Sequence, residues 1–591
     1  MRYELKSKLL ALVIAAALSA GLTCGCGSTP AASLESRSTQ SSSGTAENAK
    51  YSDPLTIDLY TDLGIAMGEQ TGWFGKIIKD KFNMTVNIIS AQGGGSGETV
   101  FQTRSAAGNL GDIMFVDQNK ASQSIQAGLV YDMTDIVDIH AEYYVKTFPK
   151  SIEKLKTAFN TDRVYAIPMQ VSTQSPLDPQ VDRGMPQYGA YTRLDYYQGI
   201  GSPEMKTLDD LLPMLQKMQE AYPKSDSGKT TYAFSFFKDW DGGCMQNAAL
   251  FAYMYGWPRF QGTGFWNPET GESQSFIDDD GIYYKTLKMY YDANQLGLVD
   301  PDSATQNWDI LNDKVKDGQV LFSWWSWLGI PGFNTAEHLA EGKGFAFVPI
   351  ADQKIYNDGI PVNGTGVCAA IGSSAKDPER MMDFIGWLGS PEGNQAITAG
   401  PEGLTWTMEN GEPVLTEFGK DAEALDKPVP EEYGGGTYAK GMWQGGVTVI
   451  LINRGVEMNP ETGFPYDSFI WPSTLEKGTQ LDKNWQDEFK ANTVMEYLEA
   501  NNMTSIGIVS DWHAPEDTTE EHTQRQEISD AIANASWQMI FARNEDEFNS
   551  IWENAKETAK GLGFDTLYEL DSGRAREAFA AAQEVVGEYD K

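Results

Sequence analysis

From Leu55 the chain reads LTIDLYTD, apolar and polar residues in alternation, and this period of two predicts a half-buried strand. The period then changes. Between residues 72 and 82 the apolar positions Phe74, Ile77, Ile78 and Phe82 follow helical spacing. Residues 84–89 (MTVNII) return to a strand pattern and end at a glycine-rich loop, 93–97, after which a helix leads to a third strand at 111–116. Strand, helix, strand, helix, strand predicts a mainly parallel sheet with helices on its faces. Ligands of such sheets sit beyond the carboxyl ends of the strands. Asp117, directly after the third strand, is therefore placed at a mouth, and it suits the N-cap of the next helix equally well. Further along, Thr207 with Asp210 forms a capping box ahead of the stripe Leu208, Leu211, Leu212, Leu215 and Met218, where Pro213 predicts a kink or a later start. Pro378 suits the first position of a helix through Met381, Met382, Ile385 and Leu388, and a late stripe runs through Ile528, Ile532, Ala535 and Met539.

Ahead of these elements, Arg2, Lys6 and Lys8 precede an uncharged apolar run at 9–22, which predicts an export signal too short to span a bilayer. Cys24 and Cys26 follow at once. A cysteine in that position resembles a bacterial lipobox. Cys26, with the small Gly25 before it, is the expected lipidation site; Cys24, behind Thr23, is the alternative, and a cleaved signal with two incidental cysteines is a third reading. Residues 27–50 are rich in Ser, Thr, Ala and Gly, cannot repay the entropy of ordering, and are expected to form a disordered tether. Lasting attachment would need the several acyl chains of a lipoprotein, palmitate among them.

With 45 basic against 83 acidic residues the formal charge is −38, which argues against nucleic acid and against adhesion of the folded body to an anionic membrane. Four cysteines cannot make a disulfide framework in 591 residues, and four scattered histidines do not make a metal centre. The glycines at 93–97 lack phosphate-loop spacing, and Pro223 stands where a P-loop ending in Gly228-Lys229-Thr230 needs its first glycine. Residues 239–242 (DWDG) and 278–281 (DDDG) are fragments of calcium loops without the full ligand series, so surface turns are expected, with no metal and no cofactor. Cys244 and Cys368 either pair or remain two buried thiols.

Tryptophan changes the picture. Sixteen are present, several in short polar or glycine-rich contexts, as at Trp240, Trp257, Trp325, Trp327, Trp406, Trp443 and Trp471. An indole offers a flat apolar surface to the C–H face of a sugar ring, while neighbouring polar groups take its hydroxyls; each hydroxyl left unpaired would cost about 1–3 kcal/mol. The competing reading is that these rings fill a large core.

Several short stretches, in order, resemble the extracellular solute-binding proteins of family 1 type, lipoprotein receptors of ABC sugar importers. They are residues 106–113 (AAGNLGDI), 127–134 (AGLVYDMT), 163–168 (RVYAIP), 191–195 (YTRLD), 296–301 (LGLVDP), 374–393 with its WLGSPEG close, 400–406 (GPEGLTW) and 539–548, the last two similar to the longer LplA-like members. The resemblance implies an α/β, two-lobed periplasmic-binding-protein-like fold of type II, with crossing segments near 167–171 and 366–371 acting as the hinge. It implies a signal and lipobox at 1–26, a tether at 27–50, lobe one at 51–170 and 369–399, and lobe two at 171–368 and 400–591, the last with a C-terminal helical extension. It further implies a carbohydrate, expected to be an oligosaccharide, bound between the lobes and delivered unaltered to the permease of an ABC importer. The receptor is expected to be a monomer, lipid-anchored on the extracellular face of a Gram-positive-like cell membrane. Expected ligand-binding residues are Asp117 from lobe one, Arg193, Trp240 and Asp241 from lobe two, and Trp325, Trp327 and Trp406 lining the cleft. The alternatives are a secreted glycan-cleaving enzyme, since tryptophans and carboxylates suit that chemistry too, and a binding receptor that feeds a sensor kinase.

Overall fold

The computed structural model describes residues 50–590 apart from positions 65, 91–96, 182–183, 362, 422–426, 446–450, 454–456, 476–477 and 516. The export signal, Cys24, Cys26, nearly all of the tether and most of the glycine-rich loop lie outside the described residues.

The first lobe is built on the predicted alternation. Strands Leu55–Thr61, Met84–Ser90 and Ile113–Asp117 pair in parallel, Leu55 opposite Met84 and Leu59 opposite Ile113. Their period of two divides the side chains between two faces. Ile57, Leu59, Ile113 and Phe115 share a core with Trp73, Phe74 and Ile78 of the helix Gly72–Phe82. Tyr60, Met114 and Val116 pack on the opposite face with Phe101 and Leu110. Burial of one large apolar side chain is worth roughly 1.5–3 kcal/mol, so a slip of one residue would misplace every one of them, and the register is fixed. Val367–Ile371 joins the edge of Ile113–Asp117 antiparallel, and Ile167–Pro168 pairs antiparallel with it in turn. The parallel pairing expected from the sequence thus holds for the three N-terminal strands, whereas the strand returning from the second lobe enters in the opposite sense.

The second lobe centres on Tyr188–Arg193, flanked by Phe322–Trp325 and Phe345–Phe347, both antiparallel to it. Beside them Ile355–Asp358 runs parallel to Thr504–Gly507. The expected capping box forms, but it closes a 3-10 turn at Leu208–Asp210, and the α-helix begins at Leu211. Pro213 therefore falls in the first turn, where its missing N–H removes no intrahelical bond. Asp377 caps the helix Pro378–Leu388, accepting from the backbone N–H of Arg380. Three closing helices, Thr519–Ile540, Glu545–Gly561 and Phe564–Tyr589, lay Ile528, Ile532, Trp537, Phe548, Trp552 and Phe564 onto the second core. A network in which Arg525 holds Asp517 and Asp571 and Arg574 holds Asp517 joins them to one another, and Arg525 donates to the Gln261 carbonyl at 2.6 Å to tie them to the rest.

Two expected boundaries move. Residues 400 to about 466 belong with the first lobe: Leu404, Val429, Trp443, Leu451, Ile452 and Tyr466 enter its core, and the Trp73 indole donates to the Tyr438 carbonyl at 3.0 Å. The chain rejoins the second lobe only at the helix Gln480–Phe489, where Leu481 and Trp485 pack and the Trp485 indole donates to the Phe347 carbonyl at 2.7 Å. The boundary drawn at 368 cuts the strand Val367–Ile371, which belongs wholly to the first lobe; the crossing lies upstream, in residues 359–366. Glu457, 5% exposed, ties another crossing by accepting from the Ser172 hydroxyl at 2.6 Å and the Thr173 backbone N–H at 2.8 Å. Cys244 and Cys368 are free thiols in separate cores. No helix among the described residues is long and apolar enough to cross a membrane.

Candidate functional site

Topology locates the facing edges of the two lobes. The second-lobe strand Ile355–Asp358 ends at Asp358, and the first-lobe strand Val367–Ile371 begins opposite Asp117. The connecting residues 359–366 can span at most about 30 Å, which keeps these two edges near each other where the chain crosses between lobes. On the first lobe this edge is the carboxyl end of the parallel strands, and it is polar. Lys120 lies 2.9 Å from Asp62 and 3.9 Å from Asp117, and the Gln118 side-chain oxygen is buried without a hydrogen-bond partner.

The second lobe answers with aromatic rings. In Phe322–Trp325 the strand sends Trp324 inward, its indole donating to Tyr290 at 2.8 Å, and so turns Trp325 to the other side. A bulge follows, in which the Ser323 hydroxyl donates to the Trp325 carbonyl at 2.8 Å, and Trp327 stacks on Trp325 with centroids 4.6 Å apart and planes 25° apart. From the loop after Phe237, Trp240 stacks on Trp308 at 4.6 Å and meets Trp325 and Trp327 at 6.0 Å each. Asp239 fixes Trp308 by accepting its backbone N–H at 2.8 Å. The four rings touch one another. A sugar sandwiched between two of them would need about 7–8 Å, twice a carbon–carbon contact distance. They therefore form one wall, whose outer face is open at Trp240, 42% exposed. Among the described residues nothing accepts the indole N–H of Trp240, Trp308, Trp325 or Trp327; Trp325, 2% exposed, backs the wall from the core, and Trp240 carries its open face.

The wall continues into tyrosines. Tyr188 pairs across strands with Trp325, lies 4.3 Å from Tyr253, and Tyr253 meets Tyr356 edge-on at 5.7 Å. The Tyr356 hydroxyl donates to Asp358 at 2.6 Å. Asp358 is exposed, and surrounding protein pushes its carboxyl above the ordinary range. Burial likewise raises the phenols of Tyr188 and Tyr356, which stay neutral donors at pH 7. Sequence reasoning missed these groups. Trp308 sits in QNWD, a polar context like those that drew attention to the others, but Tyr188, Tyr253, Tyr356 and Asp358 carry no local signal.

Of the expected ligand residues, Trp240, Trp325 and Trp327 come together. Asp117 caps the helix Gln118–Gln126, accepting from the Lys120 backbone N–H at 2.9 Å, and remains on the first-lobe edge. Three others have structural roles. Arg193 is 1% exposed, its guanidinium paired with Asp195 at 2.6 Å and held between the rings of Tyr196 and Phe333, each 4.0 Å away, because a buried cation needs a carboxylate and leaves nothing for a ligand. Asp241 accepts from the Trp537 indole at 2.6 Å and the Gln246 backbone N–H at 2.8 Å, which commits its carboxylate to the loop. Trp406 is 7% exposed, packs edge-on against Trp471, and donates to the Gly400 carbonyl at 3.0 Å, away from the wall. The calcium-loop fragments are likewise engaged: Asp279 takes the Trp552 indole and Lys556, and Asp278 the Ser275 backbone N–H. Among the described residues no three metal-ligating side chains converge.

Residues 68–395, more than half of the chain, match the bacterial extracellular solute-binding protein family. The chain belongs to that family. Among curated proteins no relative matches. Among solved structures, the two-lobed fold is similar to the alginate-binding protein AlgQ2, with a TM-score of 0.56 and 14% identity over 90% of this chain and 99% of that one. It is similar to a Bifidobacterium longum infantis solute-binding protein described as HMO binding and ABC-transporter associated, at 0.55 and 16% over 89% and 99%. It is also similar to the S. pneumoniae ABC-transporter substrate-binding protein FusA in complex with kestose, at 0.54 and 14% over 89% and 99%. At such identities the likeness speaks for the fold. Members of this solute-binding family hold a solute without making or breaking bonds in it, and this solute-binding protein is no enzyme.

Proposed function

We propose that this solute-binding protein captures a carbohydrate, an oligosaccharide, between its lobes and hands it unaltered to the permease of an ABC importer. The observation that carries the reading is the continuous wall from Trp308 through Trp240, Trp327 and Trp325 to Tyr188, Tyr253 and Tyr356, with unspent indole donors. The apolar rings suit the C–H faces of successive sugar units, and Asp358 on one lobe with Asp117 and Gln118 on the other suit their hydroxyls. Solved relatives of the same fold whose names include alginate binding, HMO binding and a kestose complex support the same class of ligand. Binding would favour the closed form by its differential affinity for that form, and the closed form is what a permease would engage. Lipidation at Cys26, or at Cys24, would tether a monomer to the extracellular face of the cell membrane, Gram-positive-like in arrangement. A thermal-shift screen of the full mature protein against oligosaccharides tests the binding step: a rise in melting temperature with at least one glycan is expected, because a ligand of the native state alone stabilises it. No shift with any glycan, against a clear shift with another solute class, would overturn it. Metabolic labelling with palmitate in wild type, Cys26→Ala and Cys24→Ala tests the anchor: loss of label in Cys26→Ala alone is expected.

A further inference from the structure

We infer that Asp358 sets the charge preference of the cleft, selecting neutral oligosaccharides and rejecting those built of uronic acids; this rests on the carbohydrate reading above. The strand Ile355–Asp358 ends at this exposed residue, where the chain leaves for the first lobe, beside the tyrosine end of the aromatic wall. One oxygen, Oδ1, accepts the Tyr356 hydroxyl at 2.6 Å, and that bond orients the group. The other, Oδ2, has no hydrogen-bond partner among the described residues. An oriented carboxylate with one open oxygen beside stacking rings is an acceptor for sugar hydroxyls. To a uronate carboxylate it presents like charge in a partly desolvated place, where repulsion is strong.

A uronate would need a cation to offset that repulsion. Arg259 sits on the Cys244 side of the tyrosines, donating to the Gly242 carbonyl at 2.9 Å, and Asp358, not Arg259, ends the strand at the tyrosine edge. On the opposing lobe Lys120 pairs with Asp62 at 2.9 Å. The net charge of −38 adds a long-range bias of the same sign. The fold is similar to that of an alginate-binding protein, while the charge this edge offers is one that a polyuronate would avoid.

The test uses the full mature protein, fluorescently labelled, on an array of neutral and uronate-containing oligosaccharides, with titration calorimetry on every glycan retained. Wild type is expected to retain neutral glycans and to bind uronate oligomers at least about tenfold more weakly. Asp358→Asn removes the charge and is expected to lower affinity for the neutral ligand about tenfold or more while narrowing its margin over uronates. Tyr356→Phe, which frees the carboxylate without removing it, is expected to weaken neutral binding by less, and it keeps the test open should the first variant fold poorly. A neutral-to-uronate ratio unchanged in both variants, or wild type that binds uronates as tightly as neutral glycans, overturns the inference and leaves the carbohydrate reading standing. Wild type that retains no glycan at all overturns both.

Discussion

Trp240 and Trp406 look alike in the sequence, each a tryptophan in a short polar or glycine-rich stretch, yet the fold uses them in opposite ways. Trp406 is 7% exposed, leans on Trp471, and gives its indole hydrogen to the Gly400 carbonyl. Trp240 is 42% exposed, lies on Trp308, and its indole hydrogen has no acceptor among the described residues. The difference recurs across the molecule. Trp73, Trp324, Trp471, Trp485, Trp537 and Trp552 are buried and each donates to a protein oxygen, with Trp443 an exception, whereas none of the four wall indoles does. A buried N–H left unpaired carries a penalty of about 1–3 kcal/mol, so the fold satisfies those it keeps inside. Trp325 is 2% exposed and Trp443 is unpaired inside the first core, so an open N–H marks a recognition ring only where the ring is also exposed, as at Trp240.

Truncating each kind of ring separates the two roles. Trp406→Ala should lower stability by about 3–5 kcal/mol in urea titrations, the usual penalty for a large aromatic removed from a packed site, while glycan affinity is retained. A stable Trp406→Ala protein with weakened sugar binding would restore Trp406 to the cleft. Asp195→Ala belongs beside it: the partnerless Arg193 guanidinium, 1% exposed, should cost about 3–5 kcal/mol in the same titration and again spare the affinity of the folded fraction. Trp240→Ala should do the reverse, weakening calorimetric affinity by about 10–100-fold and leaving stability within about 1 kcal/mol. Loss of stability without loss of affinity at Trp240 would make the wall an exposed piece of core.

These contrasts mark how far the sequence could be read. Alternation along Leu55–Thr61 and the helical spacing in Gly72–Phe82 depend on neighbours a few positions apart, and both elements stand where that spacing put them. Ordered family stretches likewise carried the two-lobed architecture. What period cannot state is which core a buried face joins, and so the segment around Val429, Trp443 and Tyr466 went to the wrong lobe. Arg193 misled for a related reason: an arginine beside an aspartate reads the same whether the pair faces a ligand or two aromatic rings. The tyrosine end of the site joins Tyr188, Tyr253, Tyr356 and Asp358 from three separate stretches of chain, and no local pattern could have announced it.

That end gives the comparison a pH axis. Surrounding protein holds the Asp358 carboxyl above its ordinary range, so the folded state retains its proton more readily than the unfolded chain does. A raised carboxyl contributes nothing below the unfolded value, where both states are protonated, and opposes folding increasingly as pH rises to the folded value, beyond which the deficit is constant. Asp358→Asn should therefore make the ligand-free protein more stable than wild type at pH 7, with the gain fading as pH falls from the raised folded value toward about 4, the unfolded carboxyl range, and absent below it. Paired denaturation curves over that interval check the sign. A variant less stable than wild type at pH 7 would mean that Asp358 holds the fold together, and the tyrosine end would then belong with Trp406 rather than with Trp240.

The smallest effect is expected at Asp117, on the polar edge opposite the wall. Its carboxylate accepts the Lys120 backbone N–H and closes the first turn of Gln118–Gln126, a cap whose removal usually costs about 1 kcal/mol. The same carboxylate is half exposed beside Lys120, so it can also meet a ligand. Asp117→Ala and Asp117→Ser separate the two roles. Serine caps as well as aspartate but brings no charge, so stability should fall by about 1 kcal/mol in the alanine variant and return in the serine variant. If Asp117 touches the ligand, glycan affinity falls in both variants, because both lose the carboxylate. If affinity follows stability instead and recovers with serine, the first lobe contributes a well-placed helix at this position, and recognition rests on the aromatic side of the cleft.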